Sequence, residues 1–538
     1  VASFSLGRAS AVLASGTMVS RVLGFVMSIV LAQTIGAAVA PGADAFTVAN
    51  LLPNTIYTII AGGALNAVLV PQIVRAGLHA DGGRGYINSL LTLTLGLLVV
   101  TTVIGTLLAP VLIRLYAPAY GPEQYDLAVS FAYWCVPQVF FYGLFTILGE
   151  VLNARGSFGP FTWAPVLNNI VALGGLIAFN ILFGSDPSGD RPVDSWSPGM
   201  VALLAGSATL GIVAQSTFLI FFWRRVGLSY RPALNLRGLG LGTAGRMSLW
   251  SFATVLLTIG AGLVESRVAS PASGEGASAA ALQKGWLIFM LPHSVIAISI
   301  AVAYFTKMSG HSARGEMKEF RSDISTSLRL VLMMLVFSSA AIVVVSVPFG
   351  SVFTDTFADA QAIGAIAVAY VVALPLFSSI AIMQRAFYAL SDGARPFLFT
   401  LVQVVVAVIG YQLVRQLPPE QTAIGIAAST SAGIIVQALV AAFLLRRKLG
   451  GTGGARIVRR LSQYALAAVP SAAAGFGVLV LLGGTRPGGF AVTNYVEPLV
   501  SMAAIGTVMA LVYFGVLWVL RVPELRAMAA PLLRRLGR

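Results

Sequence analysis

The sequence predicts an all-α polytopic membrane protein with fourteen transmembrane helices, and three observations lead there. The 538 residues are 57% hydrophobic and only 10% charged, against about 25% charged in an ordinary soluble domain. Apolar runs of roughly 20 residues or more, the length that crosses a bilayer core, recur along the whole chain. The loops between them alternate between basic and nearly uncharged, as the two sides of a membrane require.

The spans fall near residues 10–36, 43–74, 86–115, 124–150, 160–183, 199–223, 244–268, 279–306, 323–347, 361–390, 396–417, 421–446, 462–482 and 494–520. The first two read SAVLASGTMVSRVLGFVMSIVLAQTIG and, after a short turn, ADAFTVANLLPNTIYTIIAGGALNAVLVPQI. They hold one mid-span charge, Arg21. The N-terminus, the loops after even-numbered spans and the C-terminus together carry 26 lysines and arginines. The other loops carry 5: Arg114, Arg191, Arg267, Arg415 and Arg486. That asymmetry places both termini in the cytoplasm, and the even span count agrees. The basic loop Trp223–Gly245 and the tail Arg521–Arg538 read as segments lying on anionic headgroups.

The net charge of +15 therefore belongs to one membrane face and does not point to nucleic acid. The single cysteine, Cys135, excludes a disulfide or a cysteine metal site within the chain. His79, His293 and His311 are too far apart in sequence to suggest a metal cluster, and no cofactor is expected. The chain lacks a phosphate loop, an HExxH motif and a recognisable catalytic triad, so the expectation is a non-enzyme. It begins at Val1, which suggests a fragment, and no cleavable signal peptide is evident.

A faint internal repeat divides the spans. LPNT at Leu52–Thr55 matches LPHS at Leu291–Ser294. EVLNARGSFGPF, ending at Phe161, matches QRAFYALSDGARPF, ending at Phe397, at a nearly equal offset. Two six-helix lobes of the same orientation with two helices appended fit this pattern, a common transporter plan. The expected divisions are 1–225, 226–450 with the basic linker at its start, and 451–538.

The polar residues inside the spans are the candidate site. An arginine at mid-span costs at least roughly 2.5–3.5 kcal/mol to insert and normally faces a bundle interior or a watery cavity. Thr17, Arg21, Gly24 and Ser28 recur at helical spacing, with Ser20 beside Arg21. Thr47, Asn50, Asn54, Thr58, Ala61 and Asn66 form a second stripe on span 2, broken by Pro53. The stripes read either as cavity walls, with Arg21 meeting an anion, or as helix–helix glue, since asparagines bond between membrane helices. Span 8 carries Lys284, Pro292 and His293; His293 reads as a packed polar residue or a ligand. Glu265 and Arg267 end span 7, and Glu265 reads as an ion-pair partner of Lys284 or Arg267, or as a coupling-ion site. Glu150, Asn153, Gln384 and Arg385 read as interfacial groups.

At SRVLGFVMSIVLAQTIGA (Ser20–Ala37), ADAFTVANLLPN (Ala43–Asn54) and GALNAVLVPQI (Gly63–Ile73) the chain resembles the MurJ, or MviN, family of lipid II flippases. That family lies in the multidrug/oligosaccharidyl-lipid/polysaccharide exporter superfamily. The residue bias resembles that of its actinobacterial members, some of which continue into a cytoplasmic kinase-like domain. The resemblance implies a V-shaped bundle of two six-helix lobes around a cationic central cavity, with spans 13 and 14 forming a groove for the lipid tail. It implies alternating access in the bacterial cytoplasmic membrane that carries lipid II, an undecaprenyl-pyrophosphate-linked muropeptide, to the outer leaflet for peptidoglycan synthesis. Ser20 and Arg21 match the Ser-Arg of its first span, and Asp44 the aspartate of its DAF element. The substrate-binding set expected on these grounds and from the polar stripes is Ser20, Arg21, Asp44, Asn50, Asn54, Lys284 and His293. Three family arginines are replaced, by Met27, Tyr57 and Leu287.

The expected partners are lipid II, membrane lipids and cell-wall synthesis proteins. Na+, H+ or the membrane potential is the expected energy source; an outward-moving anion gains about 2.3 kcal/mol per charge per 100 mV. The competing readings are an exporter of another polyprenyl-linked glycan, a cation-coupled drug antiporter, and a non-transporting membrane scaffold for cell-wall synthesis. The absence of a mid-span acid in the first six spans weighs against a drug antiporter.

Overall fold

The computed structural model describes residues 6–61, 84–155, 157–223, 225, 230–233, 246–451, 453–526 and 528. Asn66, the GALNAVLVPQI run, most of the basic loop after span 6 and the end of the basic tail lie outside these residues. The described residues form two compact units: the first runs to Ser273 apart from Ala37–Val39, which group with the second, from Gly274 onward.

The first unit holds α1 (Leu6–Ile35), α2 (Pro41–Ile60), α3 (Arg84–Leu107), α4 (Ala109–Tyr116), α5 (Pro122–Cys135), α6 (Gln138–Ala154), α7 (Phe158–Phe183), α8 (Pro198–Trp223) and α9 (Arg246–Ala269). The second holds α10 (Ala279–Pro292), α11 (Ile298–Ala313), α12 (Met317–Val344), α13 (Ser346–Ser351), α14 (Phe357–Val371), α15 (Leu374–Ala389), α16 (Ala394–Val414), α17 (Pro419–Leu449), α18 (Gly454–Leu481) and α19 (Val496–Val519). Helix α9, the seventh span, packs on α2 and α4 within the first unit.

Twelve described helices are long and apolar enough to cross a membrane, or thirteen when α14 and α15, bent by 43°, count as one span. The remaining expected span, 43–74, is described as helix only from Pro41 to Ile60. Where a span breaks, a proline stands at the break: Pro110 opening α4, Pro137 between α5 and α6, Pro292 ending α10, Pro348 in α13 and Pro375 opening α15. Each lacks an N–H and crowds the carbonyl one turn earlier. After Pro292 the strain is taken up by a π turn, His293–Ala297.

Small residues set the closest helix pairs. Between α7 and α8, a Cβ on Gly175 would meet Ser207 at 2.1 Å, and one on Gly211 would meet Asn168 at 2.4 Å. Between α16 and α17, Gly410 meets Ser429 at 2.5 Å and Gly433 meets the Gln403 carbonyl at 2.7 Å in the same way. Asn168 and Gly175 correspond to Gln403 and Gly410 at one constant offset, and Ser207 and Gly211 to Ser429 and Gly433 at another. The internal repeat is therefore also a repeat of packing: in each half a small residue on one helix admits the backbone or polar side chain of the next.

The second unit ends in a helical pair, α18 and α19, laid on α12. The Tyr513 hydroxyl donates to the Met333 carbonyl at 2.8 Å. Nearby, Glu524 is buried and pairs with Arg329 of α12 at 2.7 Å and Arg460 of α18 at 3.7 Å. At the α15–α16 turn, Asp392 pairs with Arg395 and with Lys448 of α17. Burial pushes its carboxyl up, but the Lys448 hydrogen bond and the Arg395 backbone N–H and charge outweigh that and leave it below the usual carboxylate range.

Helix α1 approaches α7 through Gly16, Ser20 and Gly24, one small residue per turn. A Cβ on Gly16 would stand 2.8 Å from Thr162 Cγ2 and 3.2 Å from the Thr162 carbonyl. Gly174, on α7 itself, has nothing within 4 Å. Gly16→Leu should therefore part α1 from α7 and lower thermal stability by about 1–3 kcal/mol, the usual cost of overpacking. Gly174→Leu should leave stability unchanged. Thermal unfolding of the two variants in detergent separates them; equal behaviour would contradict the α1–α7 contact.

Candidate functional site

The site is best built from α1. Arg21 sits fifteen residues from the start of a thirty-residue helix, about 22 Å along its axis. The Gly16–Ser20–Gly24 face is used for packing. Asn169 of α7 donates to the Ser20 carbonyl at 2.8 Å and lies 3.4 Å from its hydroxyl. Arg21 points about 100° away from that face and is exposed, with Thr17, Met18 and Val22. Among the described residues no carboxylate pairs with it. The sequence stripe is thus divided: Gly24 faces α7, as does Ser20 beside the stripe, while Thr17 and Arg21 are exposed.

The asparagines of α2 divide too. Asn50 is half-buried, and its carbonyl oxygen accepts from Gln138 at 3.4 Å. Gln138, 1% exposed, also donates to Thr209 at 2.9 Å and accepts from Tyr142 at 3.3 Å. Thr209 in turn donates to the Trp134 carbonyl at 2.8 Å. Asn50 therefore belongs to a polar chain joining α2, α6 and α8. One turn on, Asn54 is exposed. Tyr57 hydrogen-bonds Thr146 at 2.6 Å and so joins α2 to α6.

Asp44 lies in the first turn of α2, fully buried. Ser273 donates to it at 2.6 Å and accepts from Gln124 at 2.8 Å. Gln124 also donates to the Pro41 carbonyl at 3.0 Å. Tyr120 closes this knot: burial first, then the Asp44 charge, holds its phenol well above the usual range. The carboxylate also favours the positive end of the α2 dipole. Asp44 thus pins the α1–α2 turn to α5 and to the segment after α9.

In the second unit, Lys284 of α10 is 3% exposed, its ammonium 5.7 Å from the Phe353 ring centroid. His293, in the π turn, is 5% exposed. Its Nδ1 lies 3.0 Å from the Ser378 hydroxyl and its ring 4.6 Å from that of Phe377. Trp286, Phe289 and Tyr370 extend this aromatic cluster. Both polar residues are packed inside their unit. Arg267 turns to the Leu115 carbonyl at 3.4 Å.

Gln138, Asn169, Thr209 and Ser273 are residues that sequence reasoning missed. Asn169 had a readable counterpart, the Gly16-xxx-Ser20-xxx-Gly24 spacing that lets a helix approach closely. Among the described residues no group of three His, Cys, Asp or Glu could hold a metal. Near the middle of α1 the arrangement offers an exposed guanidinium, Arg21.

Comparisons with known proteins bear on this geometry. The family model described as Lipid II flippase MurJ matches residues 31–497. A probable lipid II flippase MurJ from Rhizobium tropici is 26% identical over 406 residues, 72% of each chain. Another from Rhizobium meliloti (strain 1021) is 26% identical over 487 residues, 87% of this chain and 86% of its own. Among solved structures, one described as lipid II flippase MurJ in an inward closed conformation is 16% identical with a TM-score of 0.71, covering 93% of this chain and 98% of its own. An inward-facing multidrug resistance MATE transporter of the MOP superfamily has a TM-score of 0.64 at 17% identity, over 82% and 98%. Both are likenesses of fold. The family match, by contrast, spans most of the chain and takes in both units, and on that ground the chain belongs to the MurJ family.

Proposed function

We propose that this protein flips lipid II from the inner to the outer leaflet of the bacterial cytoplasmic membrane by alternating access, with both termini in the cytoplasm. The observation that carries this reading is the family match over residues 31–497. The chemistry of α1 supports it. Lipid II carries a pyrophosphate that cannot enter hydrocarbon unaided. A guanidinium is permanently charged and offers a planar donor fork to phosphate oxygens. Arg21 is exposed and has no carboxylate partner among the described residues, so its charge is available to such an anion.

In this reading Arg21 binds the pyrophosphate and Asn54, exposed on α2, offers an amide to the sugar-phosphate headgroup. Asp44 and Asn50 act as positioning residues that keep the α1–α2 turn and α2 in place. Lys284 and His293 set the polarity of the second unit's interior. The membrane potential assists outward movement of the negative headgroup. The protein acts as a transporter and not as an enzyme.

Complementation tests the function. Expressed in a strain depleted of its own lipid II flippase, this chain should restore growth and prevent lysis. Lysis of cells whose membranes contain the protein at normal level would contradict the proposal.

A further inference from the structure

On the face of the chain where the loops carry only 5 lysines and arginines, two of the five converge. Arg114 occupies the last turn of α4 and Arg267 the last turn of α9. Both line one open groove of 540 Å³ whose other walls include Pro110, Val111, Leu115 and Tyr125. A single arginine at a helix C-terminus is accounted for by the helix dipole. Two from different helices above one apolar floor are not, because their charges repel and neither forms an ion pair among the described residues.

The donors are poised for an oxyanion. Arg114 stacks its guanidinium 4.2 Å over the Tyr125 ring, a contact that fixes its plane and uses none of its five N–H groups. Tyr125 is itself held by donating to the Pro110 carbonyl at 3.1 Å. Arg267 spends one N–H on the Leu115 carbonyl, at the long distance of 3.4 Å. The floor is hydrocarbon: Val111 is 61% exposed and Leu115 39% exposed. Both arginines stand in the last turn of a helix at the end of an expected membrane span, which puts the groove at headgroup depth.

We propose that this groove binds the phosphate of an anionic glycerophospholipid, with guanidinium donors from Arg114 and Arg267 and the glycerol and first methylenes on Val111 and Leu115. The volume suits a phosphoglycerol group, within the range of small-ligand pockets, and is too small for a glycopeptide headgroup. The bound lipid has a structural consequence. None of the most apolar stretch of α9 is buried, and a phosphate shared between Arg114 and Arg267 ties its end to α4. This assignment stands apart from the transport proposal, since it concerns a resident lipid of the first unit.

The test uses the full-length protein purified in mild detergent. Native mass spectrometry and thermal unfolding are read with added phosphatidylglycerol, phosphatidylcholine or inorganic phosphate. Phosphatidylglycerol should be retained and should raise the unfolding temperature of the wild type, while phosphatidylcholine and millimolar phosphate should do neither. Retention should fall at least about tenfold in Arg114→Gln/Arg267→Gln, by loss of two charge-assisted phosphate contacts. Arg114→Lys/Arg267→Lys should keep part of it. If the double glutamine variant does not fold, the single Arg114→Gln variant is read in the same way. Undiminished phosphatidylglycerol retention in the glutamine variants, or equal stabilisation by phosphatidylcholine or by inorganic phosphate, would overturn the assignment.

Discussion

Arg21→Ala should abolish complementation of a flippase-depleted strain while the protein still reaches the membrane in normal amount. The two halves of that result rest on different physics. Insertion should not suffer, because removing a mid-helix guanidinium lowers the cost of burying α1 by roughly 2.5–3.5 kcal/mol. Packing should not suffer either, because α1 meets α7 through Gly16, Ser20 and Gly24 and Arg21 lies off that face. On the proposed role of Arg21, what is lost is a charge-assisted contact to the substrate phosphates. Truncating one partner of such a pair costs about 2–5 kcal/mol, enough to reduce transport by one to three orders of magnitude. Arg21→Lys should recover part of it, since an ammonium keeps the charge but not the planar fork.

Glu524→Ala should be the most destabilising single change in the second unit. Its carboxylate side chain is only 4% exposed and serves Arg329, itself 11% exposed, and Arg460. Removing it leaves two guanidinia facing each other in a space that water scarcely reaches. Breaking a buried ion pair in this way costs about 3–5 kcal/mol, here read as a fall of roughly 5–15 °C in the thermal unfolding midpoint. The same principle sets a second expectation. Arg329→Met/Glu524→Leu, which removes charge and carboxylate together, should recover most of the loss, since hydrophobic replacements of buried pairs are often neutral or stabilising. Detergent-solubilised unfolding curves of both variants decide this. If Glu524→Ala unfolds with the wild type, the Arg329–Glu524–Arg460 cluster does not anchor the C-terminal segment to α12 and α18.

The helical plan was legible because membrane spans announce themselves by length and hydropathy alone. The same signal is blind to what happens inside a span. Residues 124–150 form one apolar run, yet Pro137 splits it into α5 and α6; 361–390 reads as one helix and bends by 43°. Hydropathy sums over a window and does not register one missing N–H. The repeat was faint in sequence because its strongest expression is in packing, where Gly175–Ser207 and Gly410–Ser429 are equivalent contacts made between non-neighbouring residues.

The site was legible in part. Arg21 stands out in any apolar run, and its exposure and lack of a carboxylate partner among the described residues follow from the side of α1 that it occupies. Ser20 is its immediate neighbour in sequence, yet helical geometry turns it onto α7. Asn50 and Asn54 share a stripe, but Gln138 claims only the first. Those partners, Asn169 and Gln138, lie 149 and 88 residues away, and nothing in a local pattern names them. Asp44 read as a substrate residue through its family element; the structure adds the knot of Ser273, Gln124 and Tyr120 that holds it.

The central claim is that this chain moves lipid II across the membrane, and one measurement addresses it most directly. Lipid II exposed on the outer leaflet is labelled or cleaved by an agent that cannot enter the cell, in cells whose only flippase is this protein under a repressible promoter. Switching the protein off should cause lipid II to accumulate while the accessible fraction falls toward background, and restoring wild type but not Arg21→Ala should return it. An accessible fraction that stays constant when the protein is gone, or that Arg21→Ala restores as fully as the wild type, would contradict the account.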